Sequence, residues 1–282
     1  MNFRRHLFSG IVGVLVLGFL WIPLLMTVVN ALNRDELLSR WGGATFRWFG
    51  VALQNADARN GLRASLTIAL ATSVLSVVIA VTGALWWRKA GRRARRAFDL
   101  LVYLRIVLPE VVFAAALFIF LSRWGFPLGT LAVVIGHTVW ASAYATLVIQ
   151  SRVIGLDPSL EDAAADLGAT PLRTFRRVTV PALVPAILAA GLLTFTFSFD
   201  DVVTSFYLAG SQVAPLPVVL LSMIRFRIGP QINAIGLLVM GITIVTMAIV
   251  LLLVSKTSQR SRARFSTPDA FQQGPLVEEE VR

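Results

Sequence analysis

Six apolar runs, each about as long as a bilayer is thick, occupy residues 7–32, 64–87, 100–121, 129–150, 181–208 and 232–254 of this chain. A polypeptide crosses hydrocarbon only when its backbone amides and carbonyls are bonded internally, and for runs of about twenty residues that means helices. The expected fold class is therefore an all-α membrane protein with six transmembrane helices. Composition agrees where it bears on this point, since 15% of residues are charged against roughly 25% in an ordinary soluble domain. The first run starts as a secretory signal does, with Arg4 and Arg5 ahead of it. It is too long for a signal core, contains Pro23 and is followed by no Ala-x-Ala site, so it reads as a retained helix.

The net charge of +11 would suggest nucleic acid in a soluble protein. Here the cations lie mostly between apolar runs, where insertion topology accounts for them, and no nucleic-acid partner is expected. With the N-terminus inside, the inner segments hold Arg4, Arg5, the cluster at 88–96, Arg152, Arg173, Arg176, Arg177 and the cations at 256–264. That is about twice the set on the outer segments, so both termini are expected on the cytoplasmic side. Residues 1–256 read as one transmembrane domain. Residues 257–282 are polar, end in Glu278-Glu279-Glu280 and are expected to be a disordered tail. Cysteine is absent, and His6 and His137 are too far apart for a metal cluster, so no metal ligands are expected. His137 reads as a satisfied interior histidine.

This topology leaves a long inner connection, 151–180, between the fourth and fifth runs, and a connection of that length in a bundle usually has a task. Within it, residues 157–171 read as a short helix outside the membrane. Asp157 or Ser159 can cap it, Pro158 suits its first turn, Glu161 and Asp162 favour its N-terminus, Gly168 can close it and Pro171 stops it. Periodicity alone would allow a mere surface connection. The spacing adds more. Asp162-Ala163-Ala164 is followed after three residues by Gly168, and nine residues later by Val178, Thr179, Val180 and Pro181. This resembles the Glu-Ala-Ala…Gly…Ile-x-Leu-Pro loop of permeases in binding-protein-dependent ABC importers, with Asp162 in place of Glu and Glu161 just before it.

The resemblance covers most of the chain and is closest to the smaller permease of spermidine/putrescine-type importers, through Leu108-Pro-Glu-Val-Val, Ser198-Phe-Asp-Asp-Val-Val and Leu216-Pro-Val. It implies a type I importer permease fold in a bacterial inner membrane, with a coupling helix on the cytoplasmic side between helices four and five. Glu161, Asp162, Ala163, Ala164, Gly168 and Pro181 would then couple to an ATPase. It also implies a second homologous permease, two ATPase subunits that hold ATP and magnesium, an external solute-binding protein and inward transport. The chain itself would be a transport subunit and not an enzyme. No Gly-x-x-x-x-Gly-Lys-Ser/Thr loop occurs in it, so no nucleotide cofactor is expected on this chain.

Carboxylates inside the runs carry the remaining signal. Glu110 lies about ten residues into the third run, and Asp200 and Asp201 lie in the outer part of the fifth. A charge at that depth costs roughly 2.5–3.5 kcal/mol on insertion scales, so these acids should face a wet path. Adjacent helical residues point about 100° apart, so only one of Asp200 and Asp201 should face it. Trp140, Phe199 and Tyr207 are expected beside them, although aromatic residues also serve as ordinary lipid-facing groups. Carboxylates among ring faces suit a polyamine such as spermidine or putrescine. An amino acid derivative, an opine or a phosphonate carried by the same importer class is the alternative. A secondary transporter or channel would show repeated halves, which are not evident.

Overall fold

The structure is a computed structural model, and residues 3–211, 214–226 and 229–265 are described. Helix α1 (Phe3–Leu32) leads through an ordered turn to α2 (Arg47–Gln54) and then α3 (Ala56–Lys89). The α3 helix starts before the apolar run because the Asn55 side chain accepts from the Ala58 amide at 2.8 Å, capping the helix there. The third run is not one helix. It forms α4 (Arg92–Val107) and α5 (Glu110–Arg123), whose axes differ by 101°. Pro109 has no amide to donate and drives Leu108 to extended backbone, with ψ of 123°. Then follow α6 (Thr130–Ile154), α7 (Ser159–Asp166) and α8 (Pro171–Thr174), and a π turn at Phe175–Thr179 enters α9 (Val180–Asp200).

The fifth run is also interrupted. Asp201 is extended, with ψ of 125°, and a separate α10 (Val203–Leu208) follows it. The chain closes with α11 (Leu216–Phe226) and α12 (Pro230–Phe265). The last helix runs past the expected span, so 257–265 of the expected tail is helical, and 266–282 lies outside the described residues. Among the described residues, five helices are long and apolar enough to cross a bilayer, and with the bent pair α4–α5 taken as one span there are six.

The centre is α3, α6 and α9. They meet through Ala80, Ala84, Ala145, Ala186 and Ala190 around Ile149, Val153 and Leu183. Small residues of this kind let backbones approach where hydrocarbon surroundings remove the usual hydrophobic drive. Ser73 on α3 donates to the Gly191 carbonyl of α9 at 2.7 Å, a crossing bond of a type worth about 0.6 kcal/mol in bilayers. A second cluster joins the end of α1 to α2, α11 and α12 through Ala31, Trp48, Leu216 and Ile235.

The connections sort to two ends. At one, the Trp48 indole donates to the Asn33 carbonyl at 2.7 Å and the Gly129 amide to Leu208 at 2.9 Å. At the other, Arg88 at the end of α3 meets Glu161 on α7 at 2.9 Å. The basic clusters at 88–96 and 173–177 belong to this second end.

Candidate functional site

Both helix breaks border one space. Irregular backbone at membrane depth persists only where protein buries it or a wet cavity adjoins it. The bend at Leu108–Pro109 delivers Glu110 to the first turn of α5, where the helix dipole favours a carboxylate. The break after α9 delivers Asp200 and Asp201. A cavity of about 540 Å³ lies between them, lined by these three acids and by Trp140, Tyr144 and Phe197. Among the described residues its lining includes no Lys, Arg or His.

The adjacent aspartates have different surroundings. Asp201 is 7% exposed. Its Oδ2 accepts from His137 Nε2 at 2.7 Å and from the Ser205 amide at 2.8 Å, and Oδ1 accepts from the Thr204 amide at 3.3 Å. Asp201 therefore caps the start of α10 and anchors it to α6 in one arrangement. A carboxylate only accepts, so Nε2 carries a proton. Ser198 Oγ lies 2.7 Å from the other ring nitrogen, Nδ1. The expectation of a satisfied interior histidine at 137 holds, but its partner is one of the acids expected on the path. Asp200 is exposed and borders both this cavity and a smaller apolar one of about 240 Å³ against α11.

Aromatic side chains form one wall. Trp140 stacks on Phe197 with centroids 5.8 Å apart, and Tyr144 meets the edge of Phe197 at 5.3 Å. Trp140 is thus where the sequence suggested. Phe199 and Tyr207 lie off this wall. Phe199 is buried, stacks on Phe195 and lines the smaller cavity, and Tyr207 packs against Phe118. Positions two apart on a helix point about 200° apart, which sends Phe197 to one cavity and Phe199 to the other. Phe197 lies near Asp200 in sequence, whereas Tyr144 is near neither Glu110 nor the aspartates, and only the folded crossing of α6 and α9 brings both rings to the cavity. Arg105 lies across the α4–α5 bend with its guanidinium 3.9 Å over the Phe113 ring, so it braces the bend.

The loop helix α7 forms a second site. Asp157 Oδ1 accepts from the Ser159 amide at 2.9 Å, an Asx turn that starts the helix. The Ser159 amide and hydroxyl hold the Asp157 carboxyl below its ordinary range. At the other end the Gly168 amide donates to Ala165 at 2.8 Å and the Ala169 amide to Ala164 at 3.0 Å, a Schellman closure with Gly168 at φ of 75°. Asp162, Ala163, Gly168 and Pro181 are exposed, Ala164 is half-buried, and Leu167 is 89% exposed. Glu161 instead turns inward to Arg88 and Thr179. Among the described residues no group of three or more His, Asp or Glu is placed to hold a metal ion.

A family described as "binding-protein-dependent transport system inner membrane component" matches residues 76–262. That interval takes in both helix breaks, His137 and the α7 loop. The chain is 34% identical over 237 residues to the putrescine transport system permease protein PotI of Escherichia coli (strain K12), covering 81% of this chain and 84% of that protein. It is 25% identical over 254 residues to the spermidine/putrescine transport system permease protein PotC of the same strain, covering 90% and 94%. Among solved structures, a bacterial ABC transporter involved in import of the acidic polysaccharide alginate matches with a TM-score of 0.68 at 18% identity, over 91% of this chain and 98% of that one. This last likeness is one of fold.

Proposed function

The chain belongs to the family of binding-protein-dependent transport system inner membrane components, and from that premise we propose that it is the permease of an ATP-driven importer whose cargo is a polyamine of the putrescine and spermidine class. The observation that carries the cargo is the 540 Å³ cavity with three acids, an aromatic wall and, among the described residues, no basic side chain in its lining. Its size falls in the range of small-molecule sites, roughly 300–1,000 Å³. Ammonium groups separated by methylenes pair with carboxylates and ring faces alternately, whereas a phosphonate would meet repulsion. The naming of PotI for putrescine and PotC for spermidine and putrescine supports the same class.

Within the cavity the acids divide the work. Both oxygens of Asp201 are engaged by His137, Thr204 and Ser205, so it holds the wall. Glu110 and Asp200 are exposed and meet the cargo.

The basic end, with α7, faces the cytoplasm under the positive-inside rule, which puts both termini there as well. The working unit is this chain with a second permease, two ATPases and an external binding protein. The exposed face of α7, with Asp162, Ala163 and Gly168, docks on an ATPase. Nucleotide binding in that subunit moves α7, the spans switch from inward-open to outward-open, and hydrolysis resets them. The test is import of radiolabelled putrescine and spermidine by the complete transporter in liposomes supplied with ATP. E110Q/D200N is expected to lower import at least about tenfold, equivalent to ~1.4 kcal/mol. Wild-type import rates in that variant, or no polyamine import by the unaltered complex, would overturn the assignment of cargo.

A further inference from the structure

Resting on the docking role given to α7 above, we propose that its two acids have separate duties: Asp162 meets the ATPase, and Glu161 is the internal positioning residue that passes the movement of α7 to both carboxylate-bearing walls of the cavity. One oxygen carries the connection. Glu161 Oε1 accepts from Arg88 Nη1 at 2.9 Å and from Thr179 Oγ1, also at 2.9 Å. Arg88 is in the last turn of α3, and Thr179 is the buried last residue of the π turn that runs into α9. A single carboxylate oxygen therefore ties α7 to two different membrane helices.

Each tie leads to the cavity. On the α3 side, Arg95 of α4 donates through Nε to the Trp87 carbonyl at 2.8 Å and through Nη2 to the Arg88 carbonyl, and its guanidinium lies 5.0 Å over the Trp87 ring. The end of α3 and the start of α4 thus move together, and α4 ends at the bend that delivers Glu110. On the other side, α9 ends at Asp200 and the Asp201 break. Packed helices transmit small displacements because their side chains interlock at crystal-like density. Tilting α7 acts on the two walls at once, through bonds that share one acceptor.

Asp162, by contrast, is exposed and has no side-chain partner among the described residues. It stands at the motif position where the loop's resemblance places Glu, and the exposed Leu160 and Leu167 flank the same helix. The π turn adds a second mark, since wide turns inside helices occur frequently at functional sites. It lies where the Glu161–Thr179 bond attaches.

The experiment uses the complete transporter in liposomes, reading putrescine imported per ATP hydrolysed together with copurification of the ATPases. E161Q is expected to retain the ATPases and lose about tenfold in putrescine per ATP. R88M is expected to do the same, T179V to lose less, and the exchange E161R/R88E to recover most of the ratio. D162R is expected to lose the ATPases. An unchanged ratio in both E161Q and R88M overturns the relay, and so does loss of the ATPases in E161Q, which would make Glu161 a docking residue. A ratio in E161R/R88E no better than in E161Q alone also overturns it, because a merely local packing role predicts that result. ATPases retained by D162R overturn the docking reading itself, a failure distinct from that of the relay.

Discussion

Two pairs of adjacent acids, Asp200-Asp201 at the cavity and Glu161-Asp162 on the loop helix, are built alike and surrounded differently. In each pair one carboxylate turns into the protein and the other is exposed. Asp201 is engaged by His137 with the two side chains 3% and 0% exposed. Glu161 pairs with Arg88 at 31% and 20%. The deep pair fixes backbone, because Asp201 also holds two amides at the start of α10. The shallow pair joins elements already helical without it. Depth thus separates a bond that the fold needs from one that a moving part can strain and restore.

The sharpest way to break this comparison is to remove both inward acids. D201A leaves His137 and two backbone amides without an acceptor in a buried place, and breaking a buried pair of this kind costs about 3–5 kcal/mol. E161A leaves Arg88 near water, and a loss of roughly 0.5–1 kcal/mol is expected after solvent screening. Thermal unfolding of the detergent-solubilised complex should rank D201A far below E161A. Equal melting temperatures would show that depth does not divide the two pairs.

The exposed members sharpen it next. D200N removes a charge that meets cargo and supports nothing else, so putrescine import is expected to fall about five- to tenfold, or ~1–1.4 kcal/mol, with thermal unfolding unaltered. D201A should reverse that pattern, with stability lost first. Import and melting measured on the same preparations check both. A D200N complex that melts as early as D201A would make Asp200 a structural residue.

Much of this architecture was legible in the sequence. The apolar runs located the spans because hydrocarbon imposes a length on any helix that crosses it. The loop helix was legible because its start and stop signals are local, and Asp157 and Gly168 act where the sequence placed them. The spacing from Asp162 to Pro181 carried the family. What failed was anything settled between distant segments. Pro109 announced a kink but not a bend of 101°, whose angle depends on what α4 and α5 pack against. Asp201 followed by Val, Val, Thr and Ser is a capping pattern inside an apolar run, a signal that hydropathy overrides. His137 could not be matched to Asp201 because 64 positions separate them. Phe199 and Tyr207 were drawn toward the acids by nearness in sequence, while α9 sends Phe199 to the opposite side from Phe197 and the break at Asp201 turns Tyr207 toward Phe118.

A smaller effect tests how the shallow site holds its shape. Gly168 is at φ of 75° and a Cβ there would meet nothing within 4 Å. Within the chain itself, any loss on substitution therefore comes from backbone conformation, roughly 1–2 kcal/mol for a residue that does not favour the left-handed region. G168V should loosen the end of α7 and lower ATPase copurification severalfold, whereas G168N should stay near wild type because Asn tolerates that conformation. Equal behaviour of the two variants would remove the backbone explanation.

The smallest effect expected is at the other end of α7, and it depends on pH. Asp157 is held below its ordinary range by the Ser159 amide and hydroxyl, so its charged form is favoured when the helix is formed. A group whose folded value is depressed contributes fully above its unfolded value and loses that contribution as pH falls through the folded one. The start of α7 should therefore be unaffected from neutral pH down to about 5 and loosen only below about 4. Since the chain has no cysteine, a single spin label at A165C reports helix order without interference. Label mobility should rise on acidification below about 4, and D157N, which keeps an acceptor but cannot titrate, should abolish the rise. The same label should show the same rise below about pH 4 in a D201A background, because the deep pair and the loop cap are independent supports. A rise in mobility at neutral pH in D201A would mean that the two ends of the molecule are already coupled in the resting state, and that depth alone does not keep them apart.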